Sequence, residues 1–248
     1  FLYQRLKEKE FFKKKNFLFK NYLFHFFYSF YIFVKLLIIV LILPKSKIKN
    51  KSTIFRTWLV ARSIKDNKVV DDYFRDYKEK NTLHNYTIFN PLSYGSLTFK
   101  FILKNNEKNF LHAYSFLNIS SLVKAFYRFY KYAYITLKKD YYLNGKNITK
   151  IIQSSLYEDF LYMRSLSYFL DQQIADNILI FKPSNFYYIY ENQAWEQAYL
   201  KSFKHKNIYC IGFQSSGFSL KFLNFFPSNF DLKIRYFPDD IYCSGQIL

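Results

Sequence analysis

A carboxylate, two amides and a tryptophan lie close together over 191–195, shortly after the apolar run 186–189. The run predicts a strand, and the residues after it predict a helix. Open α/β sheets bind their ligands at this position, beyond the carboxyl end of a strand. A carboxylate that closes an apolar strand gains nothing from burial unless something pairs with it. Glu191 is therefore the candidate catalytic residue. A solvated Glu, or a partner of a local Lys, is the alternative interpretation.

The residues after Glu191 have a structural interpretation as well. Asn192 is predicted to be the N-cap of a helix over 193–205. Trp195 and Tyr199 fall on one face of this helix and are expected in the core. Because Asn192 shares the loop of Glu191, it is also a candidate substrate-binding residue.

A second apolar run, 208–213, also ends in a polar loop. Consecutive N–H groups between Gly212 and Gly217 can form an anion-accepting nest beside two hydroxyls. An ordinary strand-to-loop transition explains the same residues equally well. The candidate substrate-binding residues of this loop are Gln214, Ser215, Ser216 and Gly217.

A third apolar run, 241–244, is enclosed by a Pro-Asp pair and a Gly. The favoured interpretation of Asp239 and Asp240 is structural: they mark the start of the strand. Cys210 and Cys243 occupy equivalent places in two apolar runs. We expect them to be buried thiols in a reducing cytoplasm rather than a disulfide or a metal site.

Short apolar runs alternate with helical patterns after residue 51, which predicts one doubly wound, mainly parallel α/β sheet with helices on both faces. Because parallel strands present their carboxyl ends together, we expect Tyr190, Phe213 and Ser244 near one edge. The predicted strands cover 53–60, 86–89, 110–116, 186–190, 208–213 and 241–244, and the predicted helices cover 119–138, 148–178 and 193–205.

Residues 1–50 are interpreted as a basic and hydrophobic appendage to a domain over 51–248. Residues 22–43 are almost wholly apolar and predict a continuous helix long enough to cross a bilayer. Lys35 argues against a simple span, and the flanking lysines suit a helix on an anionic membrane face. A helix packed on the soluble fold is an equal alternative. The membrane interpretation predicts an exposed apolar face.

The chain has 248 residues, with 37 Lys and Arg against 18 Asp and Glu, a formal net charge of +19. Such a balance attracts phosphate backbones or anionic lipid headgroups. The lysines are scattered, and no zinc-ligand spacing or ribonucleoprotein motif accompanies them. Nucleic acid is therefore not the expected partner, and a mitochondrial ribosomal protein is the most plausible form of that alternative.

Three segments of the chain, taken in order, resemble a family of bacterial surface-polysaccharide biosynthesis proteins of the O-antigen and capsule type, which look like glycosyltransferases. The family pattern is a strand ending in Tyr-Glu-Asn-x-x-Trp-Glu-x-Ala, then Ile-Gly-Phe/Tyr-Gln-His-Ser, a Pro-Ser turn, and Pro-Asp-x-Ile before a strand ending in Gly. The matching residues here are 190–198, 211–216, 227–228 and 238–245. Further upstream, 55–59 and 72–74 look like the family's first strand and the loop after it. Ser215 stands where the family often has His.

The resemblance implies a Rossmann-like, glycosyltransferase B-type fold, in which two domains face each other across a cleft. The acceptor binds mainly to the first domain and the nucleotide-sugar donor to the second. Because the chain starts at Phe1 and stops at Leu248, we interpret it as a fragment comprising mainly the first domain, truncated at its C-terminus. The full-length protein is then expected to be an enzyme.

The activity that the resemblance implies is transfer of a sugar from a nucleotide donor to a glycan acceptor, expected to be lipid-linked, at the cytoplasmic face of the cell membrane. Arg56 and Arg62 are then candidate cations for substrate binding. No cofactor besides the donor is implied, and no metal, because no Asp-x-Asp motif occurs. A non-catalytic glycan-binding or scaffold member is the alternative, which the Ser215 departure would suit.

Overall fold

A computed structural model of the chain describes residues 15–46, 48–59, 64–65, 68–69, 71, 74, 85–91, 109–143, 145–191, 193–214, 233 and 235–243. Its principal element is a sheet of six strands flanked by helices. The strands are β1 (Thr53–Leu59), β2 (Asn85–Pro91), β3 (Phe110–His112), β4 (Asn185–Ile189), β5 (Tyr209–Gln214) and β6 (Asp240–Cys243).

The sheet has the strand order β6-β5-β4-β1-β2-β3, and each neighbouring pair is parallel. The predicted mainly parallel α/β sheet is therefore confirmed. Two short antiparallel pairs lie outside it, Ile64–Lys65 with Lys68–Val69 and Tyr142–Leu143 with Lys146–Asn147.

Five α-helices accompany the strands in the described part of the chain. They are α1 (Lys15–Ile42), α2 (Ile119–Lys138), α3 (Thr149–Leu161), α4 (Leu166–Ile178) and α5 (Ala194–Lys204). Short 3-10 helices cover Ala113–Phe116 and Leu179–Phe181.

The two faces of the sheet are both apolar, as expected for parallel strands. On one face, Phe186 of β4 stacks on Tyr199 of α5, with ring centroids 5.3 Å apart. On the other face, Phe55 of β1 stacks on Tyr187 of β4 at 5.0 Å. Phe74 closes over this second face at 5.4 Å from Phe55. Alternate residues of β1 and β4 thus fill both layers, which explains the unbroken apolar run 186–189 of β4.

The chain divides into two compact units. Unit 1 comprises Phe1–Ile38 and Phe126–Leu166, and unit 2 comprises Ile39–Ala125 and Ser167–Leu248. Unit 2 contains the six-stranded sheet. In unit 1, the His25 ring of α1 packs against Phe160 of α3, with centroids 4.0 Å apart.

The apolar helix α1 is continuous, as predicted for 22–43, and it begins earlier, at Lys15. His25, Ser29 and Leu36 on one side of it are buried, whereas Phe26 and Phe30 on another side are about 60% exposed (63% and 61%). Its segment Leu23–Ile42 is long and apolar enough to cross a membrane, which by itself is weak evidence of a span.

Two predicted elements are shorter than expected. The helix predicted over 148–178 is interrupted between α3 and α4, where Met163 adopts a left-handed φ of 51°. The strand predicted over 110–116 ends at His112, whose Nδ1 accepts a hydrogen bond from the Tyr114 N–H at 2.9 Å. This contact caps the 3-10 helix that replaces the rest of the strand.

Candidate active site

Glu191 follows β4 at the carboxyl edge of the sheet. The pairing of β4 with β5 continues to Tyr190, whose N–H donates to the Phe213 carbonyl at 2.8 Å. Tyr190 and Phe213 therefore meet at one edge, as predicted, while Ser244 lies outside the described residues. This edge of a parallel sheet is the usual ligand-binding edge.

The loop at Glu191 is held by a second carboxylate, Glu196. The Oε1 atom of Glu196 accepts hydrogen bonds from the backbone N–H groups of Glu191 and Gln193, both at 2.9 Å. Glu196 is completely buried. It is therefore a structural group that fixes the path of the chain from β4 into α5.

The N-cap of α5 is Gln193, not Asn192 as predicted, and Glu196 at the third helical position completes a capping box. The carboxylate reaches back to the N-cap N–H, which no backbone carbonyl of the helix can accept from. The sequence carried a signal for this arrangement, the Gln-x-x-Glu spacing of Gln193 and Glu196. Asn192 itself lies outside the described residues.

The side chain of Glu191 is left available by this arrangement. It is half-buried, and its Oε2 accepts a hydrogen bond of 2.7 Å from the Gln193 amide. None of the ion pairs within the described part of the chain includes it. Burial raises the pKa of the Glu191 carboxyl above its usual value. A carboxylate with a raised pKa at a ligand-binding edge can accept a proton from a hydroxyl group.

Gly212 of β5 allows Tyr190 to approach the sheet closely. A Cβ built on Gly212 would lie 3.0 Å from the Tyr190 Cβ and 3.2 Å from its Cγ. Glycine is thus required here for space. Because Tyr190 directly precedes Glu191, this contact also fixes the position of the candidate acid.

Arg56, one of the two predicted substrate-binding cations, lies inside the core. It is fully buried, and its Nη1 donates to the Thr57 carbonyl at 2.6 Å. Its guanidinium lies 5.0 Å from the ring centroids of both Trp58 and Trp195. These aromatic faces attract the cation without presenting it to solvent.

Two titratable groups accompany Arg56. Asp171 of α4 has its Oδ1 3.9 Å from Nη2 of Arg56, and burial raises the pKa of Asp171 to about 7 although the guanidinium opposes this change. Burial, and secondarily the charge of Arg56, lowers the pKa of His112 to about 3. In the folded protein near neutral pH, His112 is therefore neutral.

Gln214, the last residue of β5, is almost fully buried and pairs with Cys243 in the sheet register. It lies at the same edge as Glu191, since β4 and β5 are parallel neighbours. The other predicted substrate-binding residues, Arg62, Ser215, Ser216 and Gly217, lie outside the described residues.

Asp239 and Asp240 lie at the opposite, amino edge. Asp239 accepts a hydrogen bond of 2.8 Å from the Cys210 N–H and forms an ion pair with Lys204. Asp240 accepts a hydrogen bond from the Tyr209 hydroxyl. These contacts join β5 and β6, in keeping with the structural role predicted for both acids. Cys210 is a buried free thiol, and burial raises its pKa to about 12.

Within the described ranges, His, Cys, Asp and Glu side chains form no group of three that could hold a metal ion. No protein-family model matches the chain. No curated protein and no solved structure matches it either. Function is therefore inferred from the edge formed by β4 and β5 and from the sequence resemblance.

Proposed function

We propose that the protein is a glycosyltransferase of cell-surface polysaccharide biosynthesis, which moves a sugar from a nucleotide donor to a hydroxyl of a glycan acceptor. The observation that carries this proposal is the half-buried Glu191 carboxylate at the carboxyl edge of the parallel sheet, held by Gln193 and free of ion pairs within the described residues. A glycosyltransferase B-type arrangement, with this sheet on the acceptor side, is part of the proposal.

In the proposed reaction, the acceptor oxygen forms a bond to the anomeric carbon of the sugar while the bond from that carbon to the nucleotide diphosphate breaks. The proton of the acceptor hydroxyl passes to the Glu191 carboxylate. The raised pKa of Glu191 makes it a better proton acceptor than an exposed Glu. The loop after Gln214 is proposed to contact the departing diphosphate through its N–H groups.

The acceptor is proposed to be lipid-linked, which would place the reaction at the cytoplasmic face of the cell membrane. Donor and acceptor are substrates, so no further cofactor is part of the proposal. The basic composition alone supports a nucleic-acid partner no better than a lipid one, because both are anionic.

The test compares the full-length wild-type protein with its Glu191→Gln variant and with the control Glu158→Gln, which removes a carboxylate from α3. Release of nucleotide from a panel of UDP-, GDP- and dTDP-sugars is measured with polyprenyl-diphosphate-linked sugars as acceptors. We expect Glu191→Gln to lower kcat by about 10² to 10⁴, the usual loss for a general base, with unchanged thermal unfolding. Glu158→Gln should leave kcat unchanged.

The pH profile separates a chemical role from a packing role. Because activity needs ionised Glu191, kcat should fall as the pH drops through its raised pKa, and this limb should disappear in the Gln variant. Turnover by Glu191→Gln within about threefold of wild type would remove Glu191 from the mechanism. Glycan binding by the wild type without turnover of any donor would instead favour the non-catalytic alternative.

A further inference from the structure

Helix α2 has an apolar side in addition to the one that it buries. Leu122, Ala125 and Phe129 lie in the core. A second set of large apolar side chains recurs every three or four residues and is exposed, with Tyr127 65% and Tyr134 62% accessible. We call this set the α2 stripe; it consists of Tyr127, Tyr130 and Tyr134, which all belong to unit 1. Packing within the described part of the chain does not account for it, since an ordinary surface helix has one apolar side.

Cations border the α2 stripe. Lys131 and Lys138, also in unit 1, are exposed and lie seven residues apart, so they share one strip of the helix. Lys138 follows Tyr134 by four residues, a rotation of about 40° around the helix. Its Nζ lies 3.9 Å from the centroid of the Tyr134 ring. The sequence of α2 contains four Lys and Arg and no Asp or Glu.

A second exposed apolar surface lies on the neighbouring helix in unit 1. Phe33 of α1 contacts Phe126 of α2 with ring centroids 5.1 Å apart, and His25 contacts Tyr130 of the stripe at 5.8 Å. Next to these contacts, α1 exposes Phe26 and Phe30. Two adjacent helices thus present aromatic side chains, and the strip of lysines runs along one of them.

We propose that the α2 stripe, with Phe26 and Phe30 of α1, docks on the surface of an anionic lipid bilayer. Apolar side chains enter the region between headgroups and acyl chains, while lysines beside them attract anionic headgroups. Tyrosine suits this depth because its ring is apolar and its hydroxyl is polar. The phosphates of duplex nucleic acid would attract the lysines but would leave the aromatic side chains of the stripe exposed.

The packing of α1 favours docking over a span. His25 and Phe33 contact other helices of unit 1, so one side of α1 is occupied by its own protein and the opposite side is apolar. A helix with one occupied side suits a position in the plane of the interface. This inference goes beyond the proposed sugar transfer and holds whether or not Glu191 is catalytic.

Co-sedimentation of the full chain with vesicles tests the proposal. One set of vesicles contains phosphatidylcholine alone, and the other contains phosphatidylcholine with phosphatidylglycerol. We expect binding to the second set, and much weaker binding to the first. Lys131→Gln with Lys138→Gln should weaken binding about fivefold for each lysine. Tyr127→Ser with Tyr134→Ser should also weaken it, and added salt should release the protein.

Matched controls come from exposed residues of unit 2. Lys201→Gln with Lys206→Gln removes two cations, and Ile180→Ser removes an exposed apolar side chain. Neither change should affect sedimentation.

Equal losses in the stripe variants and these controls would overturn the proposal, as would no binding to either set of vesicles. Resistance to both salt and alkaline carbonate would show that α1 inserts instead. Binding to duplex RNA as tight as to vesicles, and unchanged by the tyrosine variants, would identify a nucleic-acid surface.

Discussion

Single residues in the core of unit 2 carry opposing electrostatic contributions to stability. Burial raises the pKa of Asp171 to about 7, so its carboxyl keeps its proton in the folded state where the unfolded chain has lost it. Burial lowers the pKa of His112 to about 3, so its ring stays neutral where the unfolded chain binds a proton. Arg56 lies close to both groups and opposes the first change while reinforcing the second.

The sign of each contribution follows from which state binds more protons. The stabilisation from Asp171 is complete below its ordinary pKa of 3.8 and is lost as the pH rises through about 7. The stabilisation from His112 is complete above its ordinary pKa of 6.5 and is lost as the pH falls through about 3. Between pH 3.8 and 6.5 the two slopes oppose each other, and they partly cancel in the wild type.

Removing either group should uncover the slope of the other. In Asp171→Asn, the free energy of unfolding should rise with pH across this window relative to wild type, because only the His112 contribution remains. In His112→Gln it should fall with pH, because only the Asp171 contribution remains. Urea unfolding followed by tryptophan fluorescence measures both. Slopes of the same sign in the two variants would contradict the pKa changes of these residues.

The place of a residue along a strand was easier to predict from the sequence than its burial. The place of Glu191 followed from a single apolar run and the helix after it. The burial of Arg56 did not, because Trp195 and Tyr199, two of its three aromatic neighbours, lie far from it in the chain. A lone Arg within a strand gives no local sign that three rings will enclose it.

At the scale of elements, the contact between β4 and β5 sets the geometry of the candidate site. Gly212→Ala should destabilise the protein by about 1 to 3 kcal/mol, because the new methyl group would press on the Tyr190 Cβ, a part of that side chain that no rotation can move away. Since Tyr190 precedes Glu191, kcat in sugar transfer should fall as well. Thermal unfolding and nucleotide release measure the two effects.

Gly145→Ala offers a contrast, since an added Cβ there meets nothing within 4 Å and the cost arises only from its φ of 74°. This variant should lower stability without changing kcat. If Gly212→Ala left both stability and kcat at wild-type values, Tyr190 would not be fixed by its contact with β5.

Element bounds were predictable where apolar runs end in polar residues, and less so elsewhere. The helix predicted over 119–138 is observed with those bounds. The interruption between α3 and α4 was missed because no Gly or Pro marks it, and the left-handed residue is Met163. Non-glycine residues rarely adopt this conformation, so a sequence pattern does not indicate it.

At the scale of the molecule, strand order is a property that no local pattern contains. The apolar runs predicted the strands and their parallel direction. They did not predict that β1 lies between β4 and β2, because this order depends on pairings between segments about 130 residues apart, such as Arg56 with Tyr188. The order has a measurable consequence for the stability of each strand.

Hydrogen exchange should therefore be slowest in the interior of the sheet. The amides of β1 and β4 are flanked by paired strands on both sides, whereas β3 and β6 are the outer strands of the described sheet. Side chains of β6 are also largely exposed, as at Ile241 and Tyr242. Edge strands open locally, at a smaller free energy than that of global unfolding.

We expect peptides from β6 to exchange much faster than peptides from β1 in hydrogen-exchange mass spectrometry. Added urea should accelerate exchange in β1, which opens with the whole fold, more strongly than in β6. Equal protection of β1 and β6 would mean that a further strand or another protein covers β6, and fast exchange in β1 would contradict its central place in the sheet.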